Sequence, residues 1–181
     1  MKKIFTVLTL VIMASCAIGA GENSKMVEPQ KGYFPQLVGI DLEGERRELP
    51  KTFDKNTNIV VVAFKREQQT NVNGWIKVAD EIIAQNADIG FYELPLIYEL
   101  DSVSRSFINN GMRRGIPDVK ARKRTITVYT NREDFFKTMQ MKEESIYLLV
   151  IDQSGKILHR IDGDATSKNI VNLQKFLKKS R

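Results

Sequence analysis

The chain has 181 residues, 42% hydrophobic and 28% charged, which suits one globular domain with an ordinary core and an appendage. Its single cysteine, Cys16, and single histidine, His159, exclude an internal disulfide, a CxxC pair, a zinc–thiolate or iron–sulfur site and a His-rich metal centre. The formal charge of +6 suits an anionic membrane surface better than nucleic acid, which is not expected as a partner.

Met1-Lys2-Lys3 is a basic start, Ile4 to Met13 is apolar, and Ala14-Ser15-Cys16-Ala17 is a run of small residues. Residues 1–20 therefore read as a secretory signal. An uncleaved anchor is the alternative, because the apolar and small run reaches Ala20, near the lower limit for crossing a bilayer. Met13-Ala14-Ser15-Cys16 resembles a bacterial lipobox, with Met13 where leucine is usual. That resemblance implies lipidation of Cys16, whereas cleavage at Ala17, Gly19 or Ala20 would remove the cysteine. Each route puts the domain outside the cytoplasm, in the periplasm or anchored at a bacterial cell envelope. Residues 21–32 are polar and aperiodic and read as a tether, leaving residues 33–181 as one domain.

That domain opens with Leu37–Leu42 and Glu45–Leu49 around Glu43-Gly44, a predicted β-hairpin. Ile59–Phe64 is a continuous run rich in β-branched residues, the mark of a strand covered on both faces. Val72, Trp75, Ile76, Ala79, Ile82 and Ile83 recur at helical spacing over Asn71–Asn86. Ile89–Leu94 is a strand stopped by Pro95, and a helix over Ser102–Asn110 follows. Gly111–Arg124 reads as a basic loop, Thr125–Thr130 as a third strand, and Glu133–Met139 as a short helix capped by Asn131. Ile146–Ile151 and Ile157–Ile161 form a second hairpin about Asp152–Lys156, and the last helix starts near Thr166 and Ser167. Alternation of strands and helices predicts a mixed α/β sheet with parallel central strands and helices on both faces.

This order, with Phe34-Pro35 and Asp41–Gly44 before the first parallel strand and an Asp-x-x-Gly-Lys hairpin near the end, resembles the thioredoxin-like fold in its peroxiredoxin and thiol-antioxidant layout. Active members carry a cysteine where the first parallel strand meets the next helix, and a cis-proline before the closing hairpin. Here those places read Lys65-Arg66-Glu67-Gln68-Gln69 and Glu144-Ser145-Ile146. Thiol chemistry needs the thiolate, so peroxidase and disulfide-reductase activity are expected to be absent. Ala63–Gln69 with Trp75, Phe91–Pro95, Gly111–Asp118 and Arg124–Thr130 resemble an exported bacterial family of cysteine-less thioredoxin-like proteins without established activity. Phe91-Tyr92-Glu93 and the closing Tyr-Leu-Leu-Val-Ile-Asp hairpin are similar, more weakly, to the mitochondrial ATP-synthase assembly factor that helps mature membrane subunit 6.

In an open α/β sheet, ligands bind beyond the carboxyl ends of the parallel strands. Lys65–Gln69, Glu93–Pro95 and Thr130–Arg132 are expected to converge there. The candidate cleft is Arg66, Gln68, Gln69 and Glu93, which offers a cationic fork, amide groups and a counter-charge. The alternative is that Arg66 and Glu93 form a structural ion pair while the glutamines cap the helix start. Arg113, Arg114, Lys120, Arg122, Lys123 and Arg124 form a candidate contact loop for an anion, a phospholipid headgroup or an acidic partner; the alternative is a solvated charge run partly paired within the fold. Trp75 is expected in the core, and His159 as a surface or packing residue. No metal site, P-loop or dinucleotide fingerprint is present and no cofactor is implied. The expected activity is that of an exported, redox-inactive binding or assembly-factor-type protein acting through a protein partner or membrane surface. The alternative is a small-ligand binder or non-thiol enzyme using the cleft.

Overall fold

The computed structural model describes residues 31–180; the expected signal segment, Cys16 and tether residues 21–30 lie outside them. Two short strands, β1 (Leu37–Asp41) and β2 (Arg46–Leu49), form the opening hairpin. Asp41 ties its turn: its carboxylate accepts from the backbone N–H of Glu43 and Glu45 and from Arg47, and Gly44 takes φ +95°. Next come β3 (Thr57–Ala63), a 3-10 turn (Arg66–Gln68), α1 (Gln69–Gln85) and β4 (Ile89–Ile97). Helices α2 (Ser102–Gly115) and α3 (Val119–Arg124) lead into β5 (Ile126–Tyr129). The chain closes with α4 (Arg132–Met139), the hairpin β6 (Tyr147–Ile151) and β7 (Ile157–Asp162), and α5 (Ser167–Lys179).

The seven strands form one sheet in the order β2-β1-β5-β4-β3-β6-β7. β3, β4 and β5 run parallel, and β1 and β6 pair antiparallel with β5 and β3. This is the expected mixed thioredoxin-like sheet. The unbroken apolar run of β3 is explained by its central place. Val60 and Val62 face a cluster with Phe53, Phe64, Phe135 and Leu149, while Ile59 and Val61 face Trp75, Leu148 and Leu173. Trp75 is wholly buried, and its indole N–H donates to the Gly163 carbonyl at 2.9 Å, satisfying the one polar atom that burial would otherwise strand.

Two expectations are corrected. β4 does not stop at Pro95 but runs on to Ile97. Pro95 falls between an isolated Glu93–Thr125 bridge and the Leu96–Val128 pairing, where the ladder to β5 is interrupted, so its missing N–H is tolerated. Gly111–Arg124 is not a loop. α2 continues to Gly115, and only Ile116–Asp118 separates it from α3. Asp118 caps α3 by accepting from the Ala121 N–H at 2.8 Å, and Pro117 just before it ends the preceding run.

Candidate functional site

The carboxyl ends of β3, β4 and β5 open on one side of the sheet, and the antiparallel β6 begins there and β7 ends there. After β3 the chain turns through Lys65 into the short 3-10 turn, and Gln68 swings back beneath it. Its Oε1 accepts from the N–H groups of Phe64 (2.8 Å) and Lys65 (3.1 Å), and its Nε2 donates to the Glu143 carbonyl (2.7 Å). Gln68 is 8% exposed. One amide thus satisfies the strand end and staples it to the segment before β6.

Glu143 continues the lock on its other side. Its carboxylate meets Lys65 Nζ at 3.3 Å and Arg132 Nη2 at 2.8 Å. Arg132, the first residue of α4, is 4% exposed, and its guanidinium lies 4.1 Å, 5.2 Å and 5.6 Å from the ring centroids of Tyr98, Phe136 and Phe64. Aromatic faces stabilise a desolvated guanidinium through their quadrupoles. The end of the sheet is therefore filled at its centre by Gln68, Arg132 and Glu143. Two recesses flank this plug. One, of about 250 Å³, is lined by Tyr98, Glu99, Thr130, Asn131, Arg132 and Glu133. The other, of about 440 Å³, lies between the start of α1, the residues before β6 and the start of α5, with Gln68, Asn71, Ser145, Asp162, Asp164 and Thr166 among its walls. Asn71 donates to Asp164 at 2.7 Å across its mouth. Its walls offer amides, hydroxyls and carboxylates, a set suited to hydrogen-bonding a ligand or an extended chain.

The sequence-predicted cleft is not assembled as expected. Arg66 and Gln69 are exposed, and Gln69 donates to Asn73 along its own helix. Among the described residues Arg66 makes no ion pair with Glu93. Because β4 runs past Pro95, Glu93 sits in mid-strand rather than at its end, buried on the face of Phe91. Its neighbour is Arg124, with Nε 3.6 Å from Glu93 Oε1. Arg124 itself grips Asp80 of α1 at 2.6 Å and 3.4 Å and lies 4.6 Å above the Phe91 ring. Burial pushes the Glu93 carboxyl up to about 7; the Arg124 charge opposes this and the Asp80 charge reinforces it. Neither glutamine caps α1 through its side chain, as the alternative had it: Gln68 instead holds the N–H groups of Phe64 and Lys65 at the strand end.

The six cations of the predicted contact loop also divide. Arg122 turns inward, paired with Glu43 and donating to the carbonyls of Ile116 and Pro117, and Arg124 is spent on Asp80. Arg113, Arg114, Lys120 and Lys123 face water, Arg113 keeping a 3.6 Å contact with Glu43. His159 is half-buried, stacked on Phe176 with ring centroids 4.6 Å apart, and burial lowers its pKa. Sequence reasoning missed Arg132 as the centre of the site. The available signal was Arg132 with Phe136 at i and i+4, directly after the Asn131 cap and beside a strand end.

The profile of the ATP10 protein family matches residues 28–179. The chain belongs to the ATP10 protein family. No curated protein matches it. Among solved structures, a thiol:disulfide interchange protein from Bacteroides sp. is 14% identical, with a TM-score of 0.54 over 81% of this chain and 89% of that one. Yeast Sco1, solved with copper bound, is 9% identical, with a TM-score of 0.53 over 83% and 95%. BsSco, a member of the Sco family of cytochrome c oxidase assembly proteins, is 10% identical, with a TM-score of 0.51 over 83% and 96%. At these identities the likeness establishes the thioredoxin-like fold. In this ATP10-family chain the turn after β3, where the resemblance leads one to expect a cysteine in active members, carries Gln68, and residues 31–180 contain no cysteine. Among the described residues no group of three His, Cys, Asp or Glu side chains is placed to hold a metal ion, and no helix is long and apolar enough to cross a membrane.

Proposed function

We propose that this chain is an exported, redox-inactive assembly-factor-type protein that holds a polypeptide partner at the carboxyl end of its sheet. The observation that carries the reading is Gln68: where a thioredoxin-like oxidoreductase presents sulfur, this chain places an amide whose hydrogen-bonding groups are spent on its own backbone. A site without a thiolate cannot exchange disulfides, whereas the polar recess beside it can hydrogen-bond an extended segment. Membership of the ATP10 family and likeness to a member of the Sco family of assembly proteins favour assembly over metabolism. In this reading residues 1–20 carry the export signal and, at Cys16, the lipidation site that is retained, and residues 21–32 tether the domain of residues 33–181 to the envelope.

A photo-reactive residue at Ser145, in the wall of the recess, should cross-link one defined partner in cells; the same residue at Lys175 on α5 should not. Equal labelling from both positions, or none from Ser145, would remove the partner site. Cys16→Ser should leave thiol-dependent peroxide turnover at the background rate of the wild-type chain, and mass spectrometry of the mature N-terminus decides lipidation. The recess of about 440 Å³ also favours a second reading, a small polar ligand. Cell-extract metabolites that raise the melting temperature of the wild type but not of Asn71→Leu would support it.

A further inference from the structure

Helix α2 is built unlike α1, α4 and α5, each of which buries residues in the core. None of its residues is buried, and polar contacts hold it to the body. Arg105 Nε donates to the Leu100 carbonyl at 2.6 Å, its guanidinium stacks 5.0 Å from the Tyr129 ring centroid, and the Tyr129 hydroxyl donates to Asn109 at 2.9 Å. Two of its apolar side chains point away from the core: Val103 is 77% exposed and Phe107 81%. They stand four residues apart on one stripe, which Arg114 continues two turns further on. The 16 residues 102–117 contain no carboxylate. Glu43 contacts both Arg113 and Arg122, so the end of α2 and the following α3 form one surface. α3 adds exposed Lys120 and Lys123 and a 45% exposed Val119. The acids that flank this stretch in sequence, Asp101 and Asp118, serve as helix caps; hydrogen bonds from the Ser104 side chain and the Ala121 backbone, respectively, lead in holding their pKa values below the usual carboxylate range.

We infer that the outer face of α2 and α3 docks on an anionic lipid bilayer, with Val103 and Phe107 entering the interface and Arg114, Lys120 and Lys123 meeting the headgroups. The charge decides the occupant. An apolar strip flanked by long cationic side chains, on a helix whose fold does not use that strip, is the pattern of interfacial helices. Arginine and lysine stems lie along the acyl boundary while their heads reach phosphate. The inference is independent of the partner site at the sheet end.

The test uses the full chain carrying Phe107→Trp, with the wild-type spectrum subtracted so that the buried Trp75 does not contribute. On vesicles of phosphatidylglycerol and phosphatidylcholine, the emission at position 107 should shift to the blue and be quenched by bromine-labelled acyl chains. Both effects should fade at high salt, because the headgroup attraction is screened. Adding Arg114→Glu and Lys120→Glu should weaken vesicle partition by about tenfold or more, given roughly fivefold for each cation at a charged surface. A chain that sediments with vesicles while position 107 stays unshifted would show attachment elsewhere and overturn the inference. So would an equal shift on neutral vesicles, or a shift without vesicles that grows with protein concentration, which would mark a second copy as the occupant.

Discussion

Glu93 is a carboxyl placed on the apolar face of a central strand, and replacing it by glutamine should stabilise the protein at neutral pH. The carboxyl is 6% exposed, its nearest cation is 3.6 Å away, and that cation already binds Asp80. Its pKa rises from 4.5 to about 7 on folding. At ~1.36 kcal/mol per tenfold change this favours the neutral form by on the order of 3 kcal/mol. The folded chain holds a proton that the unfolded chain releases between pH 4.5 and about 7, so this contribution is present below 4.5 and is lost as pH rises through that window. His159 acts in the opposite sense: its pKa is lowered by burial, so it adds stability as pH rises towards its ordinary value near 6.5. The informative quantity is therefore the difference between Glu93→Gln and wild type, in which His159 cancels. Urea unfolding followed by Trp75 emission should show that difference growing in favour of the variant by about 3 kcal/mol between pH 4 and pH 8. A flat difference, or a variant that loses ground at pH 8, would mean that Glu93 ionises and closes on Arg124, and the reasoning from burial would fail.

Substitutions at three further positions probe the packing. Gln68→Ala strands the Phe64 and Lys65 N–H groups and the Glu143 carbonyl and should cost about 2–3 kcal/mol in chemical denaturation; a loss within experimental error would dismiss the staple. Arg132→Ala empties the space between Tyr98, Phe136 and Phe64 and should cost about 2–4 kcal/mol. Arg132→Met should recover most of that loss, because well-packed apolar atoms replace buried ion pairs at little cost; equal losses in the two variants would assign the stabilisation to the Glu143 pair. In Gly39→Ala the new methyl would sit 2.4 Å from Ile126 Cγ2 and 3.0 Å from the Thr127 carbonyl, and the melting temperature should fall as expected for about 1–3 kcal/mol of overpacking.

Much of the site was only half visible in the chain. The Asn131 cap, the Trp75 stripe and the missing thiol were legible because each is a local pattern. Arg132 was expected at the sheet end but without a role, since its significance comes from Tyr98 and Glu143, which other segments supply. Glu93 was misplaced by one assumption, that Pro95 ends its strand, and once the strand runs on, the expected partner Arg66 is out of reach. The basic stretch was read as loop because its charged residues show no evident apolar periodicity, yet Asp118 after Pro117 was a start signal for α3 in plain view.

Order and class were determined by the sequence alone: period-two and period-3.6 patterns, caps and turn residues act over a few neighbours, so seven strands, every helix but α3 and the absence of cysteine from the domain can be read along the chain. Which charges face water and which are buried was decided only by tertiary structure. Arg122 meets Glu43 79 residues away and Arg124 meets Asp80 44 away, and no local rule records the partner that a folded sheet brings to a guanidinium.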